Sequence, residues 1–314
     1  MRNPLCISAL LLVAGCGGVV TLASDQTVGN VAVDASSVYW TDYTDGATTI
    51  RRVPIAGGTP TTVYSGPVTY IAADRANLYW IAPDAVMKLP SGGGAPVQLA
   101  TARYGIRLAL DGSDVFWSDV DGVHKVDANG ASTTLFAGTV YLTALSASGG
   151  SVFFLKQAAC PPCGFDIVKV SAQGGAPVTL FTETQAGFPD ALGVDASSVY
   201  WGNENRGTLS KVSVAGGPAA TLFASDSKGG VQYTIGGIAA DATGVYSGVS
   251  GFRGRGRLIR ITPPFGAATL ADDQLGPGSV VLDDENVYWS TAGSQNVDDE
   301  HPRIVRGTIC KLHK

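Results

Sequence analysis

The sequence predicts an all-β protein, a single seven-bladed β-propeller of four-stranded antiparallel blades, and three observations carry that prediction. One short phrase (an apolar stretch, an acidic residue and an aromatic pair) returns seven times at spacings of 37 to 47 residues. Each repeat holds four short strands but no crossover helix, which is the size of a propeller blade. Glycine supplies 41 of the 314 residues and charged side chains only 15%, a composition of many tight turns rather than of helices. The same figures bound function. An apolar fraction of 45% excludes a disordered chain. A net charge of −5 gives no electrostatic footprint for nucleic acid.

In chain order, residues 1–15 read as a signal peptide. Arg2 precedes a mostly apolar run from Leu5 to Ala14 that is too short for a permanent membrane span. Val13-Ala14-Gly15-Cys16 resembles the bacterial lipobox. The resemblance implies cleavage before Cys16, a thioether diacylglycerol on its sulfur and a further acyl chain such as palmitate on the new amino terminus. Several acyl chains hold a protein on a membrane far more firmly than one. Residues 16–314 are then expected in the bacterial cell envelope, exported and lipid-anchored, at the outer membrane or on the periplasmic side rather than in the cytoplasm.

The repeats fill the rest of the chain. The first aromatic of each pair falls at Tyr39, Tyr79, Phe116, Phe153, Tyr200, Tyr246 and Tyr288. All five tryptophans, Trp40, Trp80, Trp117, Trp201 and Trp289, occupy the second place, which assigns them to the core between blades rather than to stacking platforms. In the first unit an apolar strand closes at Asp34, residues 35–37 turn, and the next strand carries Tyr39-Trp40. A third strand over 49–54 leads to Gly57-Gly58, and 61–64 makes the fourth. The acids Asp34, Asp74, Asp111, Asp195, Asp241 and Asp283 are expected to accept hydrogen bonds from backbone N–H groups of their own turns, not to form a cation site. The seventh unit stops after its third strand, at 308–312. Residues 17–23 match the fourth-strand segment 93–100, so the start of the mature chain is predicted to complete the last blade and hide its edge.

Asp34 followed by Val38-Tyr39-Trp40-Thr41-Asp42 resembles the YWTD repeat of low-density-lipoprotein-receptor propellers. Those propellers have six blades, whereas seven are counted here, and the full tetrad stands only once. The other copies read YWIA, FWSD, FFLK, YWGN, YSGV and YWST. Gly-Gly-x-Pro connections such as 57–60 are similar to those of secreted bacterial propeller lipoproteins. The resemblance implies a fold, and fold does not carry receptor function.

Turns after the first and third strands are short in every unit, while lengths vary after the second strand and between blades. An up-and-down sheet sends both variable sets to one face, where binding residues usually sit. The long examples cluster in blades four to seven, at 156–165, 202–207, 247–257 and 290–303, with linkers 182–191 and 225–236. Arg206 and the cluster Phe252, Arg253, Arg255 and Arg257 are candidates to hold a carboxylate, phosphate or anionic sugar. Asp298, Asp299 and Glu300 form an acidic patch without EF-hand spacing. Cys160 and Cys163 are expected to form a local disulfide in an exported compartment. No metal site is expected, because Cys310, His124, His301 and His313 make no second close pair. No cofactor motif, G-x-S-x-G elbow, HExxH or Walker loop is present. The reading is a monomeric, non-catalytic binding or protein-interaction module. It takes a protein or saccharide ligand, touches the membrane through its lipid and binds no nucleic acid. The alternative is a polymer-acting hydrolase or lyase, which requires two or three ionisable groups converging near the axis.

Overall fold

The computed structural model describes residues 18–43, 48–138, 144–157, 164–184, 189, 191–203, 206–225, 234–251, 254–262, 266–296 and 303–314. Among them, twenty-eight strands form seven four-stranded antiparallel sheets arranged as a seven-bladed propeller. Six sheets each use four consecutive strands, as in the first blade with Val28–Val33, Ser37–Asp42, Thr49–Pro54 and Thr61–Ser65. The seventh joins the two ends of the chain. Its strands Pro277–Leu282, Asn286–Asn296 and Arg303–His313 take Val20–Gln26 as their outer partner. Val20 pairs with Lys311, Thr21 with Cys310 and Gln26 with Gly307. The ring is therefore closed by one N-terminal and three C-terminal strands, as the repeat pattern predicts.

The core lies between blades. Successive side chains on a strand point to opposite faces of the sheet, so the two aromatics of each pair enter different interfaces. Tyr39 packs with Ile71, Leu78 and Trp80 toward the second blade, while Trp40 packs with Tyr288 and Ile309 of the last. Tyr79 and Trp80 divide in the same way, as do Phe116 and Trp117, Phe153 and Phe154, Tyr200 and Trp201, and Tyr288 and Trp289. The first aromatic faces the following blade and the second faces the preceding one. Blade six alone has no second aromatic, and Ser247 is buried there instead.

The expected turn chemistry is present and has an additional donor. Asp34 Oδ1 accepts the backbone N–H groups of Ser36 (2.7 Å) and Ser37 (2.8 Å), and the Tyr39 hydroxyl donates to Oδ2 at 2.7 Å. Tyr79, Tyr200 and Tyr288 donate likewise to Asp74, Asp195 and Asp283 at 2.8, 2.7 and 2.6 Å. Each phenol is thus anchored through its oxygen to the turn five residues back. Burial alone would raise these carboxyls, but the combined hydrogen bonds outweigh it and hold Asp34, Asp74, Asp195 and Asp283 below the usual aspartate range. Burial and the adjacent carboxylate push the phenols up, Tyr200 to about 12. Where the pattern lapses, other groups substitute. Asp111 has Phe116 five residues on, and accepts the Gly150 N–H of the next blade at 2.7 Å. Asp241 receives the Lys314 ammonium, which also donates to the Asp283 carbonyl at 2.7 Å.

A carboxyl whose folded pKa is depressed contributes stability above its unfolded pKa and loses it as pH falls through the folded value. Unfolding free energy should therefore decline on acidification below about pH 5. Tyr79→Phe should cost about 1.5–2 kcal/mol near neutral pH and make the acid-side decline shallower, because Asp74 then titrates closer to its unfolded value. Urea titrations from pH 7 to the acid limb measure both, and an unaltered slope in Tyr79→Phe contradicts the assignment.

Candidate functional site

The seven inner strands surround a central cavity of about 690 Å³, a size typical of ligand sites. Linkers between blades deliver the chain to the starts of these strands, and the aspartate turns follow their ends. The residue four positions before each acid, or before Ser148 that takes its place in blade four, consequently stands at the loop-rich mouth. Around the ring these residues are Asn30, Tyr70, Arg107, Ala144, Ala191, Gly237 and Ser279, and all seven line the cavity. Two residues deeper, six blades carry small side chains, Ala32, Ala72, Ala109, Ser146, Gly193 and Ala239, which keep the channel open where the strands converge.

The mouth is two-sided. A polar arc runs through blades seven, one, two and three as Ser279, Asn30, Tyr70 and Arg107, and faces a wall of Ala144, Ala191 and Gly237. Asn30 Oδ1 accepts the Ile71 N–H at 2.8 Å, and Ser279 Oγ accepts the Val31 N–H at 3.2 Å, so each ties its own blade to the next. The Arg107 guanidinium lies 5.5 Å from the centre of the Tyr70 ring and donates once to the Ile106 carbonyl at 3.2 Å. Among the described residues Arg107 is the one charged side chain lining the cavity, and it has no carboxylate partner. Burial pushes the Tyr70 phenol up, against the opposing pull of Arg107 and Asn30. Gly237 is small for a steric reason. A Cβ there would sit 2.6 Å from the Val280 nitrogen, because the inner strands of blades six and seven meet backbone to backbone.

The linker that leads into the Arg107 strand carries an exposed aromatic. Tyr104, in the linker 102–106, is 73% exposed with φ +53°. A bulky residue in that left-handed region is strained, and such strain concentrates at functional sites. Tyr43, at the same end of blade one, packs its ring beside Gly29 and is also exposed.

The residues singled out from loop lengths fall elsewhere. Arg206 approaches Glu183 at 4.0 Å. Arg255 and Arg257 belong to the strand Arg255–Thr262, not to a loop: Arg255 pairs with Leu275 on one side, Arg257 with Val249 on the other, and the strand as a whole lies between two partners. Arg255 is matched to Asp273 at 2.5 Å on an exposed surface, and Arg257 lies over the Phe223 ring at 5.9 Å. Cys16, Cys160, Cys163, Phe252, Arg253, Asp298, Asp299 and Glu300 lie outside the described residues. Cys310 is unpaired and buried, and burial raises its thiol. His124 is remote from the axis. It stacks on Trp117 and places Nε2 2.9 Å from Asp119 Oδ1 and Nδ1 3.1 Å from Thr134 Oγ1. Among the described residues no three metal-ligating side chains gather, and no helix is long and apolar enough to cross a membrane.

The polar arc was not reached from loop lengths, yet its signal is in the repeat itself. Aligned on the acid, the preceding positions are apolar or small in every copy, whereas the fourth position back varies from glycine to arginine.

No family model and no curated protein matches the sequence. Solved structures do match the fold. A puromycin-hydrolyzing peptidase from Mycobacterium tuberculosis aligns over 92% of this chain at 16% identity and a TM-score of 0.67. This chain spans 51% of that one, about half its length. The β-propeller domain of the Trilobed protease from Pyrococcus furiosus aligns over 84% of this chain and 91% of its own, at 10% identity and a TM-score of 0.64. A chain of a nidogen/laminin complex aligns over 71% of this chain and 90% of its own, at 16% identity and a TM-score of 0.52. At these identities the likeness is one of fold.

Proposed function

We propose that this chain is an exported, lipid-anchored propeller that binds a protein or saccharide ligand through its loop-rich face and performs no chemistry on it. One observation carries the reading, namely that the two ends of the blades are used differently. At one end the aspartate carboxylates are consumed by their own turns and tyrosines. At the other, Ser279, Asn30, Tyr70 and Arg107 collect around an open mouth, and Arg107 has no carboxylate partner among the described residues. Matched folds occur both in a nidogen/laminin complex and in peptidases, so the choice rests on site chemistry. Hydrolysis or elimination needs an acid and a base within reach of a common point. The described channel wall offers one guanidinium and one phenol with a raised pKa. The lipobox-like residues 13–16 support the anchor. Three residues, 17–19, separate Cys16 from the closing strand, which would hold the propeller against the lipid surface.

The two parts are tested separately. Cys16→Ala should abolish palmitate incorporation and release the chain from envelope membranes, and labelling that survives the change contradicts the anchor. A photo-crosslinking side chain placed at Tyr104, on the loop-rich rim, should give specific adducts in the native envelope. The same group at Arg75, in the turn of the opposite face, should give none. Adducts from position 75, or their absence from position 104, contradict the binding face.

A further inference from the structure

We propose that the channel mouth is a binding site for a single carboxylate carried on a small apolar body, with Arg107 as the residue that holds the anion. The inference rests on the reading of the loop-rich face as the working face, and names the ligand class of one site on it.

The rim is built to donate. The Asn30 carbonyl oxygen is occupied by the Ile71 N–H, and the Ser279 oxygen by the Val31 N–H. The Asn30 amide nitrogen in turn donates to the Val31 carbonyl at 3.4 Å, whereas the Ser279 hydroxyl keeps its O–H to present to the channel. Tyr70 adds a hydroxyl, and Arg107 has five donors of which one is used, on the Ile106 carbonyl. Ser279, Tyr70 and Arg107 thus offer donors around the mouth, and the described wall holds no carboxylate to receive them. A half-buried guanidinium without an acid partner is costly. Its stacking on Tyr70 explains its direction but leaves its charge unmatched. Carboxylates suit Arg through two parallel N–H···O bonds.

Charge and shape narrow the class further. One cation among neutral donors balances one negative charge, whereas a phosphate dianion would remain uncompensated. The facing wall of Ala144, Ala191 and Gly237 gives the body of the ligand apolar surface and room, within a cavity of about 690 Å³. Structural need does not account for arginine here, since the equivalent position is alanine in blades four and five and glycine in blade six.

The test is calorimetric titration of the full chain in non-ionic detergent with benzoate, its neutral isostere benzamide, and inorganic phosphate. Benzoate should bind one to one, with benzamide and phosphate at least about tenfold weaker, the loss expected for a charged hydrogen-bonded contact. Arg107→Gln should weaken benzoate by a similar factor at an unchanged melting temperature. Tyr70→Phe keeps the ring under the guanidinium and removes one donor, so it should weaken benzoate more modestly. Absence of benzoate binding up to about 10 mM, equal affinity for benzamide or phosphate, or indifference to both substitutions overturns the proposal. Such a failure with Tyr104 adducts retained removes the carboxylate site and leaves the binding face standing. Adducts from the opposite face would instead overturn that reading, whatever the benzoate result.

Discussion

Two consecutive aromatic residues on one strand must point to opposite sides of the sheet, and the rest of this propeller depends on that constraint. Because the pair sits on the second strand of nearly every blade, one ring enters the interface ahead and the other the interface behind. A blade cannot place its own pair without both neighbours. The core is a circular series of interfaces, and the chain ends meet in one sheet because an unpaired outer edge would leave Trp40, Tyr288 and Ile309 open to water.

The constraint also explains why the two faces differ. Tyrosine carries a hydroxyl that must find an acceptor when its ring is buried, and the aspartate turn five residues upstream supplies one. Of the carboxylates that look like a ring of ligands in the sequence, Asp34, Asp74, Asp195 and Asp283 are committed to this service, while Asp241 receives Lys314 and Asp111 the Gly150 N–H. The opposite ends of the inner strands carry no such duty. There the chemistry changes from blade to blade: Asn30 and Ser279 tie neighbouring blades, Tyr70 and Arg107 face the channel, and three blades carry only alanine or glycine.

Blade number, closure and the structural role of the acids were legible in the sequence because each is repeated, and repetition reports what every blade needs. The tyrosine hydroxyl bond was legible in principle, since the five-residue spacing from Asp34 to Tyr39 recurs at Asp74, Asp195 and Asp283. Counting the rings only as apolar mass misses it. Function is carried by what does not repeat, and two non-repeating signals competed. Loop length drew attention to Arg255 and Arg257, whose glycine-rich surroundings suggested a loop, although pairing on both sides makes that stretch a strand. The single column that changes chemistry from blade to blade, occupied by Asn30, Tyr70 and Arg107, is a subtler mark. Its meaning depends on knowing that those positions converge on one axis.

If the paired aromatics couple each blade to both neighbours, the ring should open as one unit rather than blade by blade. Amide hydrogen exchange on Trp80→Ala measures this directly, since the substitution empties one interface and is expected to cost about 3–5 kcal/mol. The account predicts that the slowest-exchanging amides of all seven blades lose protection together and by a similar factor. Faster exchange confined to blades one and two, with full protection kept across the ring, would contradict it.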